Sequence, residues 1–144
     1  MTAGMTDQRL AEAALAEIVE LHRFFVDWFT GHCPKNRAGF ARVADALAPG
    51  FVQVDPAGRE RRRGPLLTAL RAAHGSRAGE PFAIRIVRPK IQLVRRGLAL
   101  AIYEERQRSG GAITRRRSSA LFQPAATAPG GVAWLHLQET WIAP

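Results

Sequence analysis

His22 stands in the middle of an apolar stripe, where an imidazole can serve as acid, base or ligand-orienting donor. Ala11, Leu15, Ile18, His22, Phe25 and Phe29 recur at spacings of three and four, so one helix face carries them all. A titratable ring on such a face has its proton affinity set by burial and neighbours. The same place equally suits a core histidine satisfied by a nearby carbonyl or side chain. Along the last segment, Trp134, His136, Gln138 and Thr140 alternate with Leu135, Leu137, Glu139 and Trp141. In an extended chain the first set shares one face, a polar and aromatic row suited to a pocket floor or a subunit contact. Tyr103 falls on the same strand face as Ala99 and Ala101, whose small side chains leave room for a ligand or for close packing. Phe25 and Trp28 add aromatic surface to the long helix. Phe25, Trp28, Tyr103, Trp134, His136 and Gln138 are therefore the expected pocket residues.

Metal chemistry finds little support. The histidines His22, His32, His74 and His136 include no pair at helical spacing, and no glycine-rich phosphate loop is present. No metal or cofactor is expected. The single cysteine, Cys33, has no partner in the chain and fits a reducing, cytoplasmic compartment.

These residues need elements to hold them. Residues 7 to 30 read as one long helix, capped by Thr6 or Asp7 and ended by Gly31. Residues 1–6 are expected to be an unstructured lead-in. A shorter helix follows with Phe40, Val43, Ala44 and Leu47 on one side, stopped by Pro49-Gly50. Phe51–Val54 and Arg59–Arg63 read as a hairpin around the turn Asp55-Pro56-Ala57-Gly58. A third helix carries Leu66, Leu67 and Leu70, with Gly75 as its C-cap. From Phe82 the period becomes two. Pro89 marks a bulge or edge in the first of four long strands, which continue over 98–108, 113–122 and 132–142. Helices grouped before strands predict a single α+β domain, 1–144, with three N-terminal helices packed in a strongly curved antiparallel sheet around a cavity.

The formal net charge of +9 raises the question of a nucleic-acid partner. Arginines dominate and are scattered, and Arg61-Arg62-Arg63 and Arg115-Arg116-Arg117 lie on strands where neighbours point to opposite faces. A solvated face accounts for them better than a phosphate-binding claw, so nucleic acid is not the expected partner. No stretch approaches the roughly 20 apolar residues of a membrane-spanning helix.

The order and lengths of these elements resemble the nuclear transport factor 2-like superfamily and, within it, the SnoaL-like group. Phe51-Val52-Gln53-Val54-Asp55-Pro56-Ala57-Gly58, then Arg63-Gly64-Pro65-Leu66-Leu67, and the ending Trp134-Leu135-His136-Leu137-Gln138-Glu139-Thr140-Trp141 carry the likeness. It implies a cone-shaped, cystatin-like α+β barrel, a homodimer through the outer sheet face, and a small, largely apolar molecule in the cavity. Isomerase, cyclase or dehydratase chemistry is one implied role, and a non-catalytic assembly domain is the alternative. Asp55 before its proline is similar to the general base of ketosteroid isomerases, with His22, Tyr103 or His136 as donors. Turn nucleation is the other role open to Asp55. Epoxide-hydrolase relatives need carboxylates beside an arginine on the strands. Glu104, Glu105 and Arg106 supply the residue types, although an exposed ion-pair ladder is the expected arrangement.

Overall fold

The computed structural model describes residues 4–143. Helix α1 (Asp7–Thr30) begins where the Thr6 hydroxyl accepts the Arg9 N–H, and it ends at Gly31 with φ 78°. Part of the expected lead-in, residues 1–3, lies outside the described residues, whereas Thr6 is the helix cap. Helix α2 (Arg37–Ala44) is capped by Asn36, whose side chain accepts the Gly39 N–H at 2.7 Å. It stops three residues before the apolar pattern does. Leu47 instead opens β1 (Leu47–Val54), because its backbone lies alongside Trp134 of the last strand. Strand β2 (Glu60–Arg62) and helix α3 (Arg63–Ala72) follow. Gly75, with φ 70°, lies beyond the α3 cap at Ala73 and turns the chain so that its N–H reaches Trp28 O. The long strands are β3 (Phe82–Arg95), β4 (Leu98–Ser109), β5 (Ala112–Pro124) and β6 (Val132–Trp141).

All six strands form one sheet, ordered β2-β1-β6-β5-β4-β3. Every neighbouring pair is antiparallel except β1 and β6, which run parallel, so the sheet is mixed. That pairing joins the first hairpin to the end of the meander. Extra residues bend the strands. In β3 the register shifts between Val87 and Lys90, where Arg88 takes φ 50° beside Pro89. In β6, Phe122 pairs with Trp134 but Leu121 pairs with His136, leaving Leu135 as an inserted residue.

The core lies between α1 and the concave face. Leu10, Ile18, Leu21 and Trp28 meet Phe51, Tyr103, Phe122 and Trp134. Ala99, Ala101 and Ala120 are fully buried in the sheet, and their small side chains let the helix approach closely. Each large apolar side chain removed from water contributes about 1.5–3 kcal/mol. The buried helix face is rotated from the sequence expectation toward Leu10, Ala14, Glu17 and Leu21. Glu17 tolerates burial because Arg42 of α2 donates to both its oxygens, at 3.1 and 2.7 Å, and Trp134 Nε1 donates at 3.0 Å. One carboxylate thus ties α1 to α2 and to β6. Gly130 fits against it, since a Cβ there would come within 2.5 Å of a Glu17 oxygen.

Candidate functional site

Between α1, α3 and the concave sheet lies a cavity of about 150 Å³. Leu21 and Phe25 of α1, Phe51 of β1, Leu66 and Leu70 of α3, and Leu137 of β6 supply apolar wall. A line of polar side chains crosses one end: His22, Glu105, Arg116, Glu139 and Gln53. Each comes from a different element, and the curved sheet packed on α1 brings them together.

Their contacts fix their protonation. His22 Nδ1 lies 2.6 Å from Ile18 O, one turn back in α1, and a carbonyl can only accept, so Nδ1 carries a proton. Nε2 lies 2.8 Å from Glu105 Oε1. Burial alone would lower the histidine's proton affinity, but the Glu105 charge and hydrogen bond and the Ile18 carbonyl outweigh it, so its pKa is raised. Burial likewise acts to raise the Glu105 carboxyl. His22, Arg116 and the Gln107 amide reverse that effect and hold it well below its ordinary range. The pair is therefore imidazolium and carboxylate, with both side chains almost wholly buried.

Arg116 continues the line. Its Nη1 donates to Glu139 Oε2 at 3.0 Å, and its Nε lies 3.7 Å from Glu105 Oε2. The guanidinium stacks over Trp141, 4.9 Å from the ring centre. Gln53 Nε2 donates to the other Glu139 oxygen at 2.8 Å. Burial drives the Glu139 pKa up, Arg116 draws it back, and the Glu105 charge adds to the rise, leaving it raised overall. Two carboxyls beside one arginine are thus pushed apart, Glu105 toward the ion and Glu139 toward the acid.

The expected residues divide between this cavity and other places. His22, Phe25 and Trp134 line it. Tyr103 stands against His22 in the core, with ring centres 5.6 Å apart and its buried hydroxyl without a hydrogen-bond partner among the described residues. Burial, with the charges of Glu105 and Glu139, keeps that phenol neutral. Trp28 is core between the helices, where its Nε1 donates to Leu70 O at 2.7 Å. His136 and Gln138 do not line the cavity. The inserted Leu135 reverses the alternation of β6, so Trp134, Leu137 and Glu139 point inward and His136 and Gln138 outward. Asp55 is also elsewhere: its Oδ1 accepts the Ala57 and Arg59 N–H groups and its Oδ2 the Arg59 side chain, all inside the hairpin turn. The Arg59 backbone hydrogen bond leads the effects that lower its pKa, so it is a turn-stabilising carboxylate.

Glu104, Glu105 and Arg106 do not form an exposed ladder. Glu105 points inward, while Glu104 faces outward, covered by Arg106, Arg115 and Arg88. Hydrogen bonds from Arg115 and Arg106 lower the Glu104 pKa to about 2. The outer sheet face grades from apolar to basic. Leu93, Leu100, Leu121, His136 and Val52 lie in one cross-strand row, and Arg85, Arg106 and Arg115 in another. The arginine runs do not cluster along a strand, but cross-strand register aligns these three. Arg116 and Glu139 escape sequence reading, and Glu105 reads as part of a ladder, because their strands carry polar residues on both faces.

Comparison with known proteins agrees with this architecture. An NTF-2 like protein from Pseudomonas aeruginosa superposes with a TM-score of 0.80 at 24% identity, covering 91% of this chain and 99% of that one. A protein with a cystatin-like fold from Caulobacter vibrioides gives 0.66 at 17% identity, over 92% and 89%. The CaMKII hub of S. rosetta gives 0.64 at 14% identity, over 99% and 100%. These likenesses establish the nuclear transport factor 2-like fold. Among curated proteins, Probable sucrose-phosphatase 2 of Arabidopsis thaliana is 24% identical over 125 residues, 87% of this chain. The chain spans only 29% of that relative's length. The family model described as Sucrose-6-phosphate phosphohydrolase C-terminal matches residues 14–143, nearly the whole chain, and this protein belongs to that family.

Proposed function

We propose that this chain is a small-molecule-binding domain whose ligand is compact and largely apolar. The observation that carries this is the cavity of about 150 Å³, walled by leucine and phenylalanine and ended by the His22–Glu105–Arg116–Glu139 line. A cavity of roughly that size with an apolar lining accepts a benzene-sized molecule. The polar end gives such a ligand an orientation. Sucrose phosphate, suggested by the curated relative's name, fits less well, because a sugar needs hydrogen-bond partners along its length and this wall is mostly apolar. Proton-transfer chemistry of isomerase, cyclase or dehydratase type would fall to Glu139 rather than to Asp55. The test is a thermal-shift screen against single-ring aromatics, short branched acids and sugars. Single rings that raise the melting temperature support the proposal, and stabilisation by sugar phosphates alone overturns it.

A second reading, homodimeric assembly through the outer sheet face, is favoured by the row Leu93, Leu100, Leu121 and Val52, with Leu93 55% exposed. The likeness to a hub domain is in keeping with it. The two roles use opposite faces and are compatible. Among the described residues no helix is long and apolar enough to cross a membrane. The lone Cys33 supports a cytoplasmic setting.

A further inference from the structure

Resting on the small-molecule pocket proposed above, the charges at its polar end point to the ligand's own charge. Two cations line the cavity, and they differ in what they have left to give. Both ring nitrogens of His22 are committed, one to Ile18 O and one to Glu105. Arg116 is not fully used: Nη1 is bonded to Glu139, whereas Nε, 3.7 Å from Glu105, has no hydrogen-bond partner among the described residues. Trp141, 52% exposed, stacks on the guanidinium and marks this end as the one nearer solvent.

We propose that the pocket takes a compact monocarboxylate, its ring or branched chain among Leu21, Phe51 and Leu137 and its carboxylate on Arg116. The groups facing Glu139 are Arg116 from β5, Glu105 from β4, Gln53 from β1 and His22 from α1. His22 and Glu105 cancel each other. Burial and the Glu105 charge disfavour ionised Glu139, which weakens its hold on Arg116 and leaves the unpartnered Nε side of the guanidinium to a ligand. An incoming carboxylate accepts from the guanidinium, whose planar fork matches its two oxygens. A cationic ligand would meet Arg116 and His22 at the same end. The chain's net charge of +9 draws anions toward it and repels cations.

Titration calorimetry with benzoate, benzamide, benzyl alcohol and benzylamine tests this. Benzoate is expected to bind about tenfold or more tightly than benzamide, with benzylamine weakest. Arg116→Gln should bring benzoate down to the benzamide level, with a much smaller loss for benzyl alcohol, and Arg116→Lys should keep part of the preference. Should Arg116→Gln fail to fold by circular dichroism, the Lys variant carries the comparison, with a loss of several-fold for benzoate only. Equal binding of benzamide and benzoate, or a benzoate affinity indifferent to both Arg116 variants, overturns the anion assignment while leaving the pocket standing. Failure of all four probes to bind removes the pocket and the assignment together.

Discussion

His22 Nε2 and Glu105 Oε1 lie 2.8 Å apart although 83 residues separate them in sequence. This contact pins the middle of α1 to the sheet at the end of the cavity where the polar side chains gather. Truncating one partner leaves the other charge buried and unpaired. Glu105→Gln is therefore expected to lower the unfolding free energy by about 3 kcal/mol, measured by urea denaturation. A loss under about 0.5 kcal/mol, the size of a surface substitution, would show that the contact contributes little.

The same pair has a definite pH signature. The His22 pKa is raised above its ordinary 6.5, so its contribution is full below that pH and lost as pH rises through the folded value. The Glu105 pKa is lowered from 4.5, so its contribution is full above 4.5 and lost as pH falls through the folded value. Both are complete between those two limits. The stability difference between the native chain and His22→Gln should be largest there and shrink on the alkaline side. Thermal melts from pH 4 to 9 read it, and a difference that stays constant above pH 6.5 would contradict the imidazolium assignment.

Gly130 and Glu17 form a separate test of packing. Gly130→Ala places a methyl group within 2.5 Å of Glu17 Oε1, the oxygen that accepts from Arg42 Nη2, while Trp134 holds the other oxygen of the same carboxylate. The expected cost is about 1–3 kcal/mol, as for an overpacked core. Gly50→Ala is the control, since nothing lies near a Cβ there, and it should cost less.

Asp55 and the outer face yield predictions from position alone. Asp55→Ala removes turn hydrogen bonds and should lower the melting temperature while leaving ring-compound affinity unchanged. Any loss of affinity comparable to that of Arg116→Gln would return Asp55 to the site. Leu121→Glu, in the outward apolar row, should convert a dimer to a monomer by light scattering without altering pocket binding. A native chain already monomeric at high concentration would remove the assembly reading.

Much of the fold was legible because period and turn chemistry are local. The His22 face announces α1, Asp55-Pro56-Ala57-Gly58 announces the first hairpin, and Pro89 announces the β3 bulge. What stayed hidden depends on distant pairing. Leu47 reads as helix until Trp134 is set beside it. Leu135 looks like any strand residue, yet as an insertion it sends His136 and Gln138 outward and brings Glu139 in. Glu105 reads as part of an exposed ion-pair ladder because its partner, His22, lies far away in sequence. The site was half visible for that reason: His22 and Trp134 announce themselves as apolar-face residues, while the carboxylates beside them do not.

The central claim, a ligand pocket between α1, α3 and the concave sheet, is tested most directly by mapping amide chemical-shift changes as benzoate and benzyl alcohol are titrated in. Saturable shifts centred on Leu21, Phe25, Phe51, Leu70 and Leu137 are the predicted result. Shifts confined to the outer face around His136 and Gln138, or no saturable shifts at all, would contradict it.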